Sequence, residues 1–139
     1  MGKTYTYNPK QVKIALGSHV VTGYADDSFV TIDPLGDGTT LKIGCDGEAN
    51  RAISVNNSFS IKLSLLQSSE TNEFLRNRLK KDQSDGDGTF PITVKDLMGK
   101  ELFTSDAAWV TKEPTWTRGK ETNNREWELQ CGEGRFDNE

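Results

Sequence analysis

The chain has 139 residues, carries 17 Lys and Arg against 21 Asp and Glu for a net charge of −4, and is 33% apolar. Its mean hydropathy is −0.67 and its pI about 5.1. That length fits one domain able to bury a core. The acidic balance, with no basic stripe, excludes a sequence-independent grip on nucleic acid, and no window approaches a membrane span.

Residues 1–9 are polar and end in Asn8-Pro9, which reads as an arm. They contain no apolar run of the secretory type, so the chain is expected to fold in a cytosol. Val12, Ile14 and Leu16 alternate with polar residues and predict a strand, closed by the turn Gly17-Ser18. Val20–Tyr24 and Phe29–Asp33 read as short strands split by Asp26-Asp27-Ser28. Pro34-Leu35-Gly36-Asp37-Gly38 is a loop, because proline fixes φ and glycine permits positive φ. Leu41–Cys45 and Ala49–Val55 are strands joined by Asp46-Gly47, a tight hairpin signal.

The longest alternation is Ser58–Leu66. Phe59, Ile61, Leu63 and Leu65 share one face, and Ser58, Ser60, Lys62 and Ser64 share the other. Burying each of the four apolar side chains is worth roughly 1.5–3 kcal/mol. A helix follows over about 69–81. Ser68 or Ser69 is expected to cap it, Glu70 and Glu73 sit in its first turn, and Arg76, Arg78, Lys80 and Lys81 lie toward its end, matching the helix dipole. Leu75 and Leu79, with Phe74, give a narrow apolar stripe, so the helix is read as a cover on a sheet. Asp82–Gly88 reads as a turn, Phe90–Leu97 as a strand, and Glu101–Thr111 as a strand broken near Ser105-Asp106. After an exposed loop over 117–124, Arg125–Cys131 places Trp127, Leu129 and Cys131 inward and Glu126, Glu128 and Gln130 outward. From about 132 the chain reads as a polar, extended tail.

These signals predict a mainly β fold: two packed antiparallel sheets, sandwich or barrel, with one flanking helix, in a single domain over residues 1–139. Cys45 and Cys131 both fall in step with apolar neighbours and read as buried free thiols, with a disulfide between them left open. His19, the sole histidine, has no nucleophile-elbow pattern near it and reads as a surface residue by a turn. One histidine and two separated cysteines do not make a zinc site. The run Asp82–Gly88 lacks the acids at Gln83 and Val94 that a calcium loop requires. Gly36-Asp37-Gly38 lacks the Gly-Lys-Ser/Thr of a phosphate loop. No cofactor motif is present, and Glu126 and Glu128 read as a solvated or interface-facing pair about 7 Å apart on one strand face, not as an acid–base pair. Of the three tryptophans, Trp127 and Trp109 are in phase with the core, whereas Trp116 lies outside the alternation and is the interface candidate. A sugar-binding sandwich using Trp116 and Trp109 is the alternative from another class.

Several short segments resemble, in order, the tail tube proteins of contractile-tailed bacteriophages: Gly23-Tyr24-Ala25-Asp26-Asp27; Gly44-Cys45-Asp46-Gly47-Glu48 with Arg51; Leu63–Gln67 before the helix; Phe90–Leu97; Ala108-Trp109-Val110; and Arg125–Leu129. The resemblance spans most of residues 11–131. It implies two β-sheets with a flanking helix, six copies to a ring, and rings stacked into a hollow tube that DNA passes through without specific binding. The implied partners are further copies, a tail sheath protein, and baseplate or tail terminator proteins, in a virion assembled in the bacterial cytoplasm. It implies no catalytic residue and no membrane insertion. A tail terminator or another injection-device tube of the same fold is the nearest alternative. On this reading Ser60, Lys62, Ser64, Glu126 and Glu128 are the candidates for the channel wall, with Lys62 an awkward cation beside DNA. Leu35, Asp37, Asp46 and Trp116 are the candidates for contacts between subunits or rings.

Overall fold

The computed structural model describes residues 4, 12–25, 29–96, 101–120 and 123–138. Most of the arm, Asp26-Asp27-Ser28 and the turn at Met98-Gly99-Lys100 lie outside the described residues. The fold is mainly β with two antiparallel sheets and one helix, as the patterning predicts. It opens with β1 (Val12–Leu16) and the two-residue β2 (His19–Val20), then β3 (Val30–Pro34). The hairpin β4 (Thr39–Ile43) and β5 (Ala49–Ile53) follows, then β6 (Phe59–Leu66) and α1 (Thr71–Asp85). The chain ends with β7 (Phe90–Asp96), β8 (Glu101–Lys112), β9 (Asn124–Cys131) and β10 (Gly134–Asn138).

The larger sheet has eight strands in the order β2-β1-β7-β8-β9-β6-β3, with β10 also paired to β8. The smaller sheet is the β4–β5 hairpin alone. The inward faces of β1, β6, β7, β8 and β9 meet in one buried cluster that Leu75 of α1 joins. Ile61, Leu63, Leu65, Trp127 and Leu129 are each at most 1% exposed, so the period-two reading of β6 and β9 holds residue by residue. Phe59, at the start of β6, is only half-buried and packs edge-on to Phe103 and Phe136 at 5.1 and 5.7 Å. The expected break in β8 appears as a register shift: Phe90 pairs with Ala108 while Ile92 pairs with Ser105. At that bulge β8 passes from pairing β10 to pairing β9.

Six expectations are corrected. First, the helix continues through Asp85, across what reads as a turn, because no residue before Gly86 breaks it; Gly86, at φ +73°, ends it with its N–H on Asp82 O. Second, Arg76, Arg78, Lys80 and Lys81 are therefore mid-helix, and the last turn has no basic residue. Third, the N-cap position is Glu70, which makes no side-chain cap bond, although Ser69 just before it does accept a helix N–H as expected, from Thr71 at 3.2 Å. Fourth, the segment read as a polar tail forms β10 against β8, from Gly134 opposite Ser105 to Asn138 opposite Glu101. Fifth, Cys45 is exposed; only Cys131 is buried. His19 also departs from the surface reading. It is half-buried, stacked on Phe74 at 4.6 Å, and hydrogen-bonded through Nε2 to Thr71 Oγ1 at 2.9 Å.

Candidate assembly surfaces

The polar face of β6 is built by default. Once Ile61, Leu63 and Leu65 turn inward, Ser60, Lys62 and Ser64 must turn outward. Antiparallel pairing with β9 sets Gln130, Glu128 and Glu126 directly across from them. The five channel-wall candidates therefore form two adjacent columns on one face. Lys62 and Glu126 are exposed; Ser60, Ser64 and Glu128 are half-buried. Lys62 faces Glu128, and Lys112 on β8 faces Glu128 from the other side. Opposite charges in such cross-strand positions contribute roughly 0.2–1 kcal/mol. The cation that sits awkwardly in the sequence thus has a carboxylate across from it.

The β4–β5 hairpin behaves differently. All ten of its strand residues are exposed. Its register pairs Thr39 with Ile53, Leu41 with Arg51 and Ile43 with Ala49, so these six share one face. Thr40, Lys42, Asn50 and Ala52 share the other. One face is therefore mostly apolar and lies in solvent: Leu41 is 66%, Ile43 62% and Ile53 76% exposed. The tip is well formed. Gly47 takes φ +85°, Gly44 N–H bonds Glu48 O at 2.8 Å, and Asp46 Oδ1 accepts from Glu48 N–H at 3.1 Å. Asp46 sits at this tip, while Leu35 and Asp37, both exposed, sit at the base, where Leu35 N–H bonds Ser58 O at 3.0 Å. Three of the four candidates for inter-subunit contact are thereby gathered on one projection.

Trp116, the fourth, lies elsewhere, on the β8–β9 connection. It is 63% exposed, with the Arg118 guanidinium 4.9 Å from its ring centre. Arg118 in turn donates to Gln67 Oε1 at 2.5 Å. Trp109 instead lines a groove of about 810 Å³ beside the β8 bulge, with Asn57, Asp106, Glu133 and Arg135. Trp116 is not among the residues that line the Trp109 groove, so the two tryptophans named for the sugar-binding alternative sit in different surroundings.

Sequence reasoning misses a polar network at the start of α1. Trp127 Nε1 donates to Asn72 Oδ1 at 2.8 Å, Asn72 Nδ2 donates to Leu66 O at 2.9 Å, and Ser69 Oγ donates to Thr22 O. These bonds tie helix, sheet and the β2–β3 connection together. A buried indole N–H was the available signal, since it must find an acceptor. Arg125, on the inward face of β9, is 5% exposed and was not singled out either.

Residues 12–136 match the family described as the bacteriophage PhiTE tail tube protein. The chain is 32% identical over 134 residues to structural protein ORF10 of Pseudomonas phage KPP10, covering 91% of this chain and 78% of that one. Its fold is similar to the sheath-tube complex of the extracellular contractile injection system PVC, at a TM-score of 0.66 and 13% identity over 97% of this chain and 93% of that one. The tube-terminating cap of the anti-feeding prophage is similar at a TM-score of 0.63 and 13% identity, over 100% and 95%. The PVC sheath/tube terminator is similar at 0.66 and 14%, over 98% and 99%. Family match, phage relative and shared fold agree: this chain belongs to the bacteriophage PhiTE tail tube protein family, structural proteins of the tail.

Proposed function

We propose that copies of this chain, each acting as one tube domain, close into hexameric rings that stack into the hollow inner tube of a contractile tail. DNA passes through the lumen without specific binding. A sheath protein surrounds the tube, baseplate and terminator proteins close its ends, and assembly takes place in the bacterial cytoplasm. The role is structural, with no bond made or broken.

The observation that carries this reading is the hairpin. An apolar face with Leu41, Ile43 and Ile53 above 60% exposure is unfavourable in an isolated molecule and calls for a partner. The β3 edge supports it, since among the described residues no further strand pairs with it and its backbone groups are open to a neighbouring copy. Leu35, Asp37 and Asp46 belong to the hairpin contact, and Trp116 to a second contact at the far end of the body. The face carrying Ser60, Lys62, Ser64, Glu126 and Glu128 lines the channel. There Glu128 lies across from both Lys62 and Lys112, and Glu126 balances the second cation, so the face is close to neutral and offers phosphate no excess of positive charge. Negative-stain microscopy of the purified protein tests the reading: long hollow rods or six-fold rings are expected, and a protein that stays monomeric when concentrated overturns it. A tube terminator is the second reading, favoured by the comparable likeness to cap and terminator structures. Single rings that never stack would select it. A reconstruction with Ser60 and Ser64 on the outer wall would refute the channel assignment.

A further inference from the structure

We propose that Arg125 is a receptor for a carboxylate of a second copy of this chain, carried by Asp46 or Glu48 at the tip of that copy's β4–β5 hairpin. The inference rests on the stacking reading above and adds to it the site where the hairpin lands.

Arg125 is 5% exposed, and its Nε is sealed from solvent without a hydrogen-bond partner. Among the described residues no carboxylate pairs with it. A cationic side chain whose Nε is shut off from water with no acceptor carries an unmet desolvation cost in the isolated chain. Its planar fork is shaped for a carboxylate, which it can hold through two parallel N–H···O bonds.

Position supplies the occupant. Arg125 pairs with Leu65, near the end of the β6–β9 ladder where Leu66 faces Asn124. The hairpin is inserted between Pro34 and Phe59, which face each other at the opposite end. The ladder spans eight residues, about 25 Å at the usual rise. Copies translated along the strand direction therefore bring the hairpin end of one to the Arg125 end of the next, a head-to-tail contact of the kind that builds filaments. The hairpin arm from Asp37 to Asp46 reaches roughly 30 Å when extended. Asp46 and Glu48 are both exposed at its tip. At the receiving end, Gln67 anchors Arg118, a second cation that complements an acidic tip.

The test compares Arg125→Met, Arg125→Lys and the double variant Asp46→Asn/Glu48→Gln with the wild type. It uses thermal melts at dilution below assembly and the critical concentration for assembly, read by light scattering and microscopy. The expected result moves the two readouts in opposite directions: Arg125→Met melts at or above the wild-type temperature, yet needs at least about ten-fold more protein to assemble. Arg125→Lys, keeping charge without the fork, falls between. The hairpin double variant shows the same assembly loss, and adding Arg125→Met to it changes nothing further. A lower monomer melting temperature for Arg125→Met means that the counter-ion lies within the same chain, and overturns the proposal. Wild-type assembly by Arg125→Met, or losses that add, also overturn it while leaving the stacking reading intact. A wild type that never assembles removes both.

Discussion

Strands β4 and β6 carry the same alternation and meet opposite fates. In β6, Ile61, Leu63 and Leu65 are at most 1% exposed; in β4, the in-phase Leu41 and Ile43 are above 60%. The difference lies in what stands across from each face. β6 is flanked by β9 and β3 and looks into a cluster fed by five strands and a helix. Among the described residues β4 has only β5 beside it and nothing of the body over its apolar side. Alternation reports that a face wants covering, and it does not say by which molecule. In the body the cover is intramolecular. On the hairpin, by the function proposed above, it is left to another copy, so that a chain of 33% apolar content holds a sealed core and still offers an adhesive surface.

The sharpest way to break this comparison is to charge each strand. Leu63→Asp should unfold the body or cost more than about 4 kcal/mol, because it buries an unpaired carboxylate where a sealed leucine stood. Ser64→Lys, one residue on, facing out and opposite Glu126, should stay within about 0.5 kcal/mol of wild type in a urea titration. The paired substitution Leu41→Asp/Ile53→Asp should change monomer stability by no more than about 0.5 kcal/mol per site, yet abolish rods and rings in the microscope. If the hairpin variant unfolds the monomer, its apolar face is covered internally and the contrast with β6 fails.

Within the body, Trp127→Phe removes the bond to Asn72 Oδ1 and leaves space beside a fully sealed position. About 1–3 kcal/mol of stability should be lost in the same titration, with assembly retained. A smaller effect is expected at Tyr24, whose hydroxyl burial holds above the ordinary tyrosine value of 10.0. A raised pKa favours the neutral form in the folded state. Its contribution is complete below the unfolded value and is lost as pH climbs through the folded one. Alkaline melts of wild type should therefore fall away faster above pH 10.0 than those of Tyr24→Phe.

Much of the body is legible in the chain, because a half-buried strand writes its two faces at period two. Ile14, Leu16, Ile61, Leu63, Trp127 and Leu129 are placed inward by alternation alone, and all are buried. Most of the failures depend on something distant in sequence; the helix end does not. Gly86 stops the helix, but nothing local marks Asp82–Asp85 as turn or helix, since neither Asp nor Ser breaks a helix outright. β10 reads as tail because its stability comes from pairing with β8, about 30 residues earlier. His19 looks like a surface residue until α1 brings Phe74 and Thr71 against it. Of the assembly candidates, alternation places the channel-wall columns on one polar face. The gathering of Leu35, Asp37 and Asp46 on one projection becomes visible only with the hairpin folded, and Arg125 only with its surroundings known.

The two cysteines offer the mildest probe of the contrast, since it perturbs nothing. Cys131 sits in the body cluster at 1% exposure, and Cys45 lies exposed at the hairpin tip. A thiol reagent added to dilute native protein should therefore titrate one equivalent promptly, and the second only in denaturant, with Cys45→Ser removing the fast phase. Under assembling conditions the hairpin gains the cover that the body already has, so the fast phase should slow in proportion to the fraction of protein in rods. Equal reactivity of Cys45 in monomer and rod would mean that the tip stays in solvent after stacking. The apolar face of the hairpin would then need another occupant, and the landing site at Arg125 would be lost with it.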